Sequence, residues 1–285
     1  MSQNNKVAVV TGSSTGIGFE TALLLARSGF DTYATMRNLE KSGAIVEAAR
    51  KGNLPIQVLQ LDVIDDKSVK NAINRIVNEK KRIDVVVNNA GYDLMGPVED
   101  LSMDDIRAQF ETNLFGVIRV MQAVLPVMRR QKSGTIVNVS SVGGKVAVPL
   151  NSVYNSTKFA LEGLTEGMRY EVDQFGINLI LVEPGVIRSN FLDNARLPTK
   201  TVSADPAYAS LMERATVTFK QMYEAGAGSP PEEVAKVILK AVTSDSPDVR
   251  YLAGSDAAMF LEKRKSSSDL EWENFLKGMI FAQPT

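Results

Sequence analysis

Thr11-Gly12-Ser13-Ser14-Thr15-Gly16-Ile17-Gly18 follows a β-branched apolar run at 7–11 and opens a segment with helical patterning at 16–28. Clustered glycines between a strand and a helix let the backbone turn tightly and approach a diphosphate, which rests on the unpaired N–H groups of the helix start. The spacing here is G-x-x-x-G-x-G, and by itself it also fits an ordinary strand–helix turn. The rest of the chain supplies the context. Continuous apolar runs recur at 32–36, 56–61, 83–87, 135–139, 178–182 and, more weakly, 249–253. Parallel strands covered on both faces read this way, without polar alternation. Helical stretches at 66–80, 103–130, 152–174 and 230–243 fall between them. The alternation predicts an α/β fold: one doubly wound, Rossmann-type parallel sheet of about seven strands, with helices on both faces and right-handed crossovers, over 1–285.

Local signals set the boundaries. Gly29 stands where a left-handed residue should end the first helix. Ser229-Pro230-Pro231-Glu232 reads as a capping box with proline at the first helical position, and Pro126 should kink or end its helix. Residues 190–228 break the pattern, with Pro198, Pro206 and scattered apolar side chains (Phe191, Leu192, Leu211, Met212, Phe219). A segment of that length is expected to be a substrate lid, or else an insertion packed on the core. Residues 255–285 form a C-terminal extension.

Composition removes whole classes of chemistry. The chain has 285 residues, 44% of them hydrophobic, with 32 basic and 33 acidic side chains and a net charge of −1. No basic stripe suited to nucleic acid is visible. With no Cys and no His, disulfides, thiolate nucleophiles, a Ser-His-Asp triad and imidazole or thiolate metal sites are excluded, and no metal is expected. Proton transfer near neutrality must therefore use Asp, Glu, Lys or Tyr with a shifted pKa, or a cofactor. The N-terminus shows no signal-peptide pattern and no apolar run is long enough to span a bilayer, so a cytoplasmic location is expected.

Tyr154-Asn155-Ser156-Thr157-Lys158 supplies such a pair. Four residues apart on a helix, Tyr154 and Lys158 share a face. A free phenol has a pKa of about 10, and a neighbouring ammonium should lower it toward use as a base. The same spacing also occurs on exposed helix faces. Ile136-Val137-Asn138-Val139-Ser140-Ser141 brings two serines to a strand end, of which one should face a substrate because neighbours point to opposite sides. Asn113, in Glu111-Thr112-Asn113-Leu114-Phe115-Gly116, carries a helix-propensity penalty and suits a distortion, a held water or a packing amide.

In order and spacing, these motifs together with Asn88-Asn89-Ala90-Gly91 and Pro184-Gly185-Val186-Ile187-Arg188-Ser189 resemble the short-chain dehydrogenases/reductases, over Thr11 to Ser189. Tyr33-Ala34-Thr35-Met36-Arg37, Ser141-Val142-Gly143-Gly144-Lys145, Phe159-Ala160-Leu161-Glu162-Gly163-Leu164 and Arg250-Tyr251-Leu252-Ala253-Gly254-Ser255-Asp256-Ala257 are similar to the branch holding estradiol 17β-dehydrogenase and retinol dehydrogenases. The resemblance implies Asn113, Ser141, Tyr154 and Lys158 as the catalytic set. Ser141 lies at the family interval before Tyr154, and Ser140 is the alternative. It further implies a nicotinamide dinucleotide held by Gly12, Ser14, Gly16, Ile17, Gly18, Asp62, Val63, Asn89, Ala90 and Gly91. The ribose would be held by Tyr154 and Lys158, and the carboxamide by Pro184, Gly185, Ile187 and Ser189. Asp62 would meet the adenine, with a helix cap as its competing role. Where the family's NAD-selecting acid would stand, this chain has Met36 followed by Arg37. An arginine can pair with a 2′-phosphate that an acid would repel, and Ser14 is placed to donate its hydroxyl to the same phosphate, so NADP(H) is the expected cofactor.

The expected activity is NADP(H)-dependent interconversion of a fairly apolar ketone or aldehyde with its alcohol. A 3-oxoacyl-thioester reductase would want a basic surface beside the pocket, for which the lid offers Arg188, Arg196, Lys200, Arg214 and Lys220. A silent NADP-binding regulator would be expected to lack one of the four catalytic positions. Tyr92, Met95, Val146, Val148 and Leu150 are expected to line the pocket wall facing the lid. Phe110, Leu114, Val117, Phe159, Leu161, Leu164 and Met168 exceed what one buried face needs, so a homodimer or homotetramer is expected.

Overall fold

A computed structural model describes residues 5–188, 197, 208–224 and 227–281. In chain order its elements are β1 (Val7–Val10), α1 (Gly16–Arg27), β2 (Asp31–Met36), α2 (Gly43–Gly52), β3 (Ile56–Gln60), α3 (Asp66–Lys80), β4 (Val85–Asn88) and α4 (Met103–Phe110). A π-helical turn (Glu111–Phe115) leads into α5 (Gly116–Gln131), β5 (Gly134–Val139), α6 (Ser152–Val172), β6 (Ile177–Pro184), α7 (Ala209–Glu224), α8 (Pro231–Thr243), β7 (Arg250–Ala253), α9 (Ser255–Lys265) and α10 (Asp269–Phe281). The strands form one parallel sheet in the order β3-β2-β1-β4-β5-β6-β7.

Side-chain alternation explains why the strands read as unbroken apolar runs. Val7, Val9, Val86 and Ile136 face a core with Ile76 of α3, Val120 of α5 and Leu161 of α6. Their neighbours Ala8, Val10, Val87 and Val137 face a second core with Leu25 of α1 and Ile238 of α8. Both faces of the central strands are covered, so their positions are mostly apolar, while the edge strand β3 exposes Gln57 and Gln60. Each fully buried aliphatic side chain contributes on the order of 1.5–3 kcal/mol. The exceptions are informative. Asn88 of β4 donates through Nδ2 to Asn138 Oδ1 of β5 at 2.8 Å, and Asn138 donates to Thr165 Oγ1 of α6 at 2.9 Å. These buried amides tie the two central strands to the helix that carries Tyr154.

The strand order reverses between β1 and β4, and this opens a crevice at their carboxyl ends, where ligands bind in such sheets. Gly29 takes a positive φ of 88° after α1, as its position predicts.

Several expectations need correction. The segment from 103 to 130 is interrupted by the π turn, and α5 continues through Pro126 to Gln131. Ser229 is no capping residue: its backbone bridges to Ile187, Pro230 is the N-cap, and Pro231 opens α8. Helices α2, α7, α9 and α10 were not foreseen. Of the apolar residues expected at an oligomer surface, Val117 and Leu161 lie in the core, and Leu114, Leu164 and Met168 pack against it. Phe110 packs with Leu94, Leu101 and Val153. Phe159 stays exposed, accompanied by Phe115 and Tyr170.

Candidate active site

The crevice begins with the glycine turn. Thr11 Oγ1 accepts from the N–H groups of Asn89 and Ala90, both at 3.0 Å, and Asn89 Nδ2 donates to the Thr11 and Gly12 carbonyls at 2.9 and 3.1 Å. The ends of β1 and β4 are thus bonded into one surface. Gly12 adopts φ 68° and Gly16 φ 61°. A Cβ on Gly12 would sit 2.9 Å from Ala90 Cα, and one on Gly18 would overlap Asn89 Nδ2 and the Gly12 carbonyl. These positions must be glycine for the turn to close. Helix α1 has no side-chain cap at Thr15 and no acid in its first turn, whereas α3 is capped by Asp65 and α4 by Ser102. The start of α1 is left with N–H groups suited to a diphosphate, so the residues present fit the expected dinucleotide. Ser14 is half-buried beside this turn, and Ile17 packs against the core below.

Met36 ends β2 at 3% exposure, and Arg37 follows it exposed. Among the described residues Arg37 pairs with no acid, which suits a guanidinium waiting for a phosphate. Asp62 Oδ1 accepts from Ile64 N, while Asp65 supplies the α3 cap, so the competing role for Asp62 falls to its neighbour. The Val63 side chain is buried against Gly116, and its carbonyl accepts from Arg119 Nη1 at 2.7 Å. Gly91 lies close over Asn113, with a Cβ reaching 3.1 Å from Asn113 Oδ1.

At the chemical end, four elements converge. Ser141 follows β5; its Oγ accepts from Gly143 N at 3.0 Å and bonds the Tyr154 phenol. Ser140, by contrast, is buried with its Oγ unpartnered among the described residues, so the structure brings Ser141, and not Ser140, to Tyr154. Lys158 is 8% exposed, donates through Nζ to Val139 O at 2.8 Å and lies 5.7 Å from the Tyr154 ring centroid. Asn113 sits inside the π turn. Its Oδ1 accepts from Tyr92 N at 3.2 Å, and its Nδ2 donates to Tyr92 O at 3.0 Å and Thr157 Oγ1 at 3.4 Å. The penalised residue type thus marks a helix distortion, where its amide locks the loop after β4 onto α6.

Burial pushes the Tyr154 phenol above its ordinary pKa, with the charge of Asp93 adding to the rise and the Ser141 bond opposing it. Desolvation is the largest of these contributions. Burial also brings Lys158 down to about 8, against the charges of Glu162 and Asp93. Pro184 and Gly185 close β6, with Gly185 N donating to Ala253 O at 2.9 Å, and Ile187 is buried just beyond. Ser189, Phe191 and Leu192 lie outside the described residues, as do Arg196 and Lys200.

Sequence reasoning missed several groups. Asn155 donates to Gly143 O at 3.0 Å and accepts from Val148 N, which shapes the loop between Ser141 and Tyr154. Asp256, at the start of α9, accepts from Val186 N at 2.6 Å and fills the space where Gly185 has no side chain. Asp93 and Asn151, buried together, had no local signal beyond an acid in an apolar loop. The wall residues also divide. Met95 and Leu150 meet Leu211 and Met212 of α7 and Met279 of α10. Val146 is instead covered by Phe260, Trp272 and Leu276, with Val148 packed on that cluster, and Tyr92 joins the Leu94 group. The C-terminal extension therefore roofs the loop after β5.

Fold and cluster together define an oxidoreductase of the doubly wound class. The chain belongs to the short chain dehydrogenase family, whose model matches residues 6–199. It is 38% identical to human 17-beta-hydroxysteroid dehydrogenase type 1 over 86% of this chain and 76% of that protein. To retinol dehydrogenase 8 of Bos taurus it is 38% identical over 88% of this chain and 82% of that one. A short-chain dehydrogenase structure from Streptomyces avermitilis superposes with TM-score 0.82 at 33% identity, covering 98% of this chain and 99% of that one. A structure of ElxO with NADP bound does so with TM-score 0.73 at 28% identity, covering 87% and 97%. No helix of the described residues is long and apolar enough to cross a membrane.

Proposed function

We propose that this chain is an NADP(H)-dependent reductase and dehydrogenase that interconverts a fairly apolar ketone or aldehyde with its alcohol. The observation that carries the reading is the Ser141–Tyr154 hydrogen bond with the buried Lys158 beside it. When bound, the nicotinamide supplies or accepts the hydride at the carbonyl carbon. Ser141 and Tyr154 hold the substrate oxygen, and the Tyr154 hydroxyl gives it a proton as the alcohol forms. A phenol kept protonated by burial is suited to that donation, and Lys158, titrating near 8, is placed to return a proton to it. Gly12, Gly16 and Gly18 would receive the diphosphate region, and Arg37 and Ser14 the 2′-phosphate. The similarity to ElxO, solved with NADP, supports the same choice. Met95, Leu150, Leu211, Met212 and Met279 offer an apolar wall. Among the basic residues that a thioester carrier would use, Arg188 and Arg214 bond their own backbone at Gly228 and Ser210.

A panel of steroid, retinoid and simple aromatic carbonyls screened by loss of NADPH absorbance tests the reading. Turnover of at least one is expected, with NADH used more weakly. No turnover across the panel, or equal use of NADH, would count against it. Assembly as a homodimer or homotetramer, through the exposed Phe115, Phe159 and Tyr170, is the remaining part of the proposal. Light scattering at micromolar concentration should report more than a monomer.

A further inference from the structure

The loop after β4 carries an acid that the proposed reaction does not use. Asp93 is 4% exposed, and Asn151 Nδ2 donates to both of its carboxylate oxygens at 2.8 Å. Asn151 is the N-cap residue of α6, yet its side chain caps nothing: it is spent on Asp93 of the loop after β4. Nearby, Gly96 N donates to Leu150 O at 2.8 Å, so loop and helix start are joined twice. Burying a carboxylate away from an arginine is costly and needs a reason.

We propose that Asp93 is a positioning residue of this active site: clasped to Asn151, it fixes where the catalytic helix begins, and it sets a negative charge within reach of Lys158 and Tyr154. The inference rests on the proposed roles of those two residues. Helix α6 presents Tyr154 and Lys158 to the acid, with Glu162 one turn further acting on Lys158. Other charges on the surrounding elements are engaged elsewhere. Asp105 bonds Ser102, Arg107 pairs with Asp104, Glu99 accepts from the Tyr208 hydroxyl, Lys145 lies by Glu162, and Lys277 pairs with Glu273. Asp93 therefore acts on the pair through its charge, after Glu162 in the case of Lys158. Its charge favours a protonated Lys158 and a protonated Tyr154, the state from which the phenol donates to a carbonyl.

Asp93→Asn keeps an oxygen for Asn151 and removes the charge, whereas Asp93→Ala removes both. Competitive acetylation of the full chain with acetic anhydride across the neutral-to-alkaline range, read by peptide mass spectrometry, gives the Lys158 titration midpoint. It is expected near 8 in the unaltered chain and about one unit lower in Asp93→Asn. Hydrogen exchange at the first amides of α6 reads the clasp: faster in Asp93→Ala, unchanged in Asp93→Asn. Should Asp93→Ala fail to fold, Asn151→Ala removes the same clasp from the other side. An unmoved Lys158 midpoint in Asp93→Asn, or unaltered exchange in the clasp-breaking variant, would overturn the proposal. Neither readout needs a substrate, so a wrong substrate class leaves the test intact.

Discussion

At the diphosphate end of the cleft the working groups are backbone: glycines at 12, 16 and 18, uncapped N–H groups of α1, and carbonyls pinned by Asn89. Arg37, the side chain proposed to select the cofactor, is exposed. At the chemical end the working groups are side chains, several of them buried, drawn from β5, the π turn, α6 and the loop after β4. Ionisable groups there are displaced from their ordinary pKa values, upward for Tyr154 and Asp93 and downward for Lys158. One end is shaped by excluding side chains, the other by burying polar ones at a cost in stability. Substitutions should therefore fail differently: by steric exclusion at the first end, by lost or altered proton transfer at the second.

The contrast predicts its largest effect at Tyr154. Tyr154→Phe should lower kcat by roughly 10²–10⁴-fold, as expected for a lost acid–base group, while cofactor titration stays near normal. A variant that keeps most of its turnover would erase the distinction between the two ends.

Asp93 offers the next test, through stability and pH. Burial, as the main cause, pushes its carboxyl up to about 6 from an ordinary value of 3.8. The native state holds the proton more tightly across that window, so stability falls as pH rises from near 4 to near 6 and stays lower above it. The shift corresponds to about 3 kcal/mol. Asp93→Asn should thus gain in Tm relative to the parent at neutral pH, and the gain should vanish toward pH 4. A gain independent of pH would mean that the charge is not the cause.

Gly18→Ala should act by crowding. The added Cβ overlaps Asn89 Nδ2 and the Gly12 carbonyl, so dinucleotide binding should be lost and the fold destabilised by roughly 1–3 kcal/mol. Calorimetry with and without cofactor separates the two. The smallest effect belongs to Arg37. Removing a charge-assisted bond at an exposed site should weaken NADPH by roughly tenfold and leave NADH unchanged. Arg37→Ala is the cleaner variant, because the neighbouring Met36 is buried and an acid placed there would disturb the core. Direct titration of both cofactors decides it.

Much of this design was readable along the chain. The apolar runs predicted all seven strands because parallel strands covered on both faces are mostly apolar along their length. The glycine turn and the spacing of Ser141, Tyr154 and Lys158 were legible because each depends on neighbours in sequence or on a family interval. A local rule misled where a tertiary contact prevailed: Ser229 entered a bridge instead of a cap.

What the sequence by itself determined was the succession of the seven strands, the glycine turn and the placing of Tyr154 and Lys158 on one helix face, since these follow from hydrophobic period, backbone geometry and helical spacing. What only the tertiary structure decided was the state of that pair. Burial and distant partners, with Asp93 and Asn151 58 residues apart in the chain and Asp256 70 residues beyond Val186, set charges and loop positions. The energy of burying a charge depends on everything packed around it, and no local stretch of sequence contains that information.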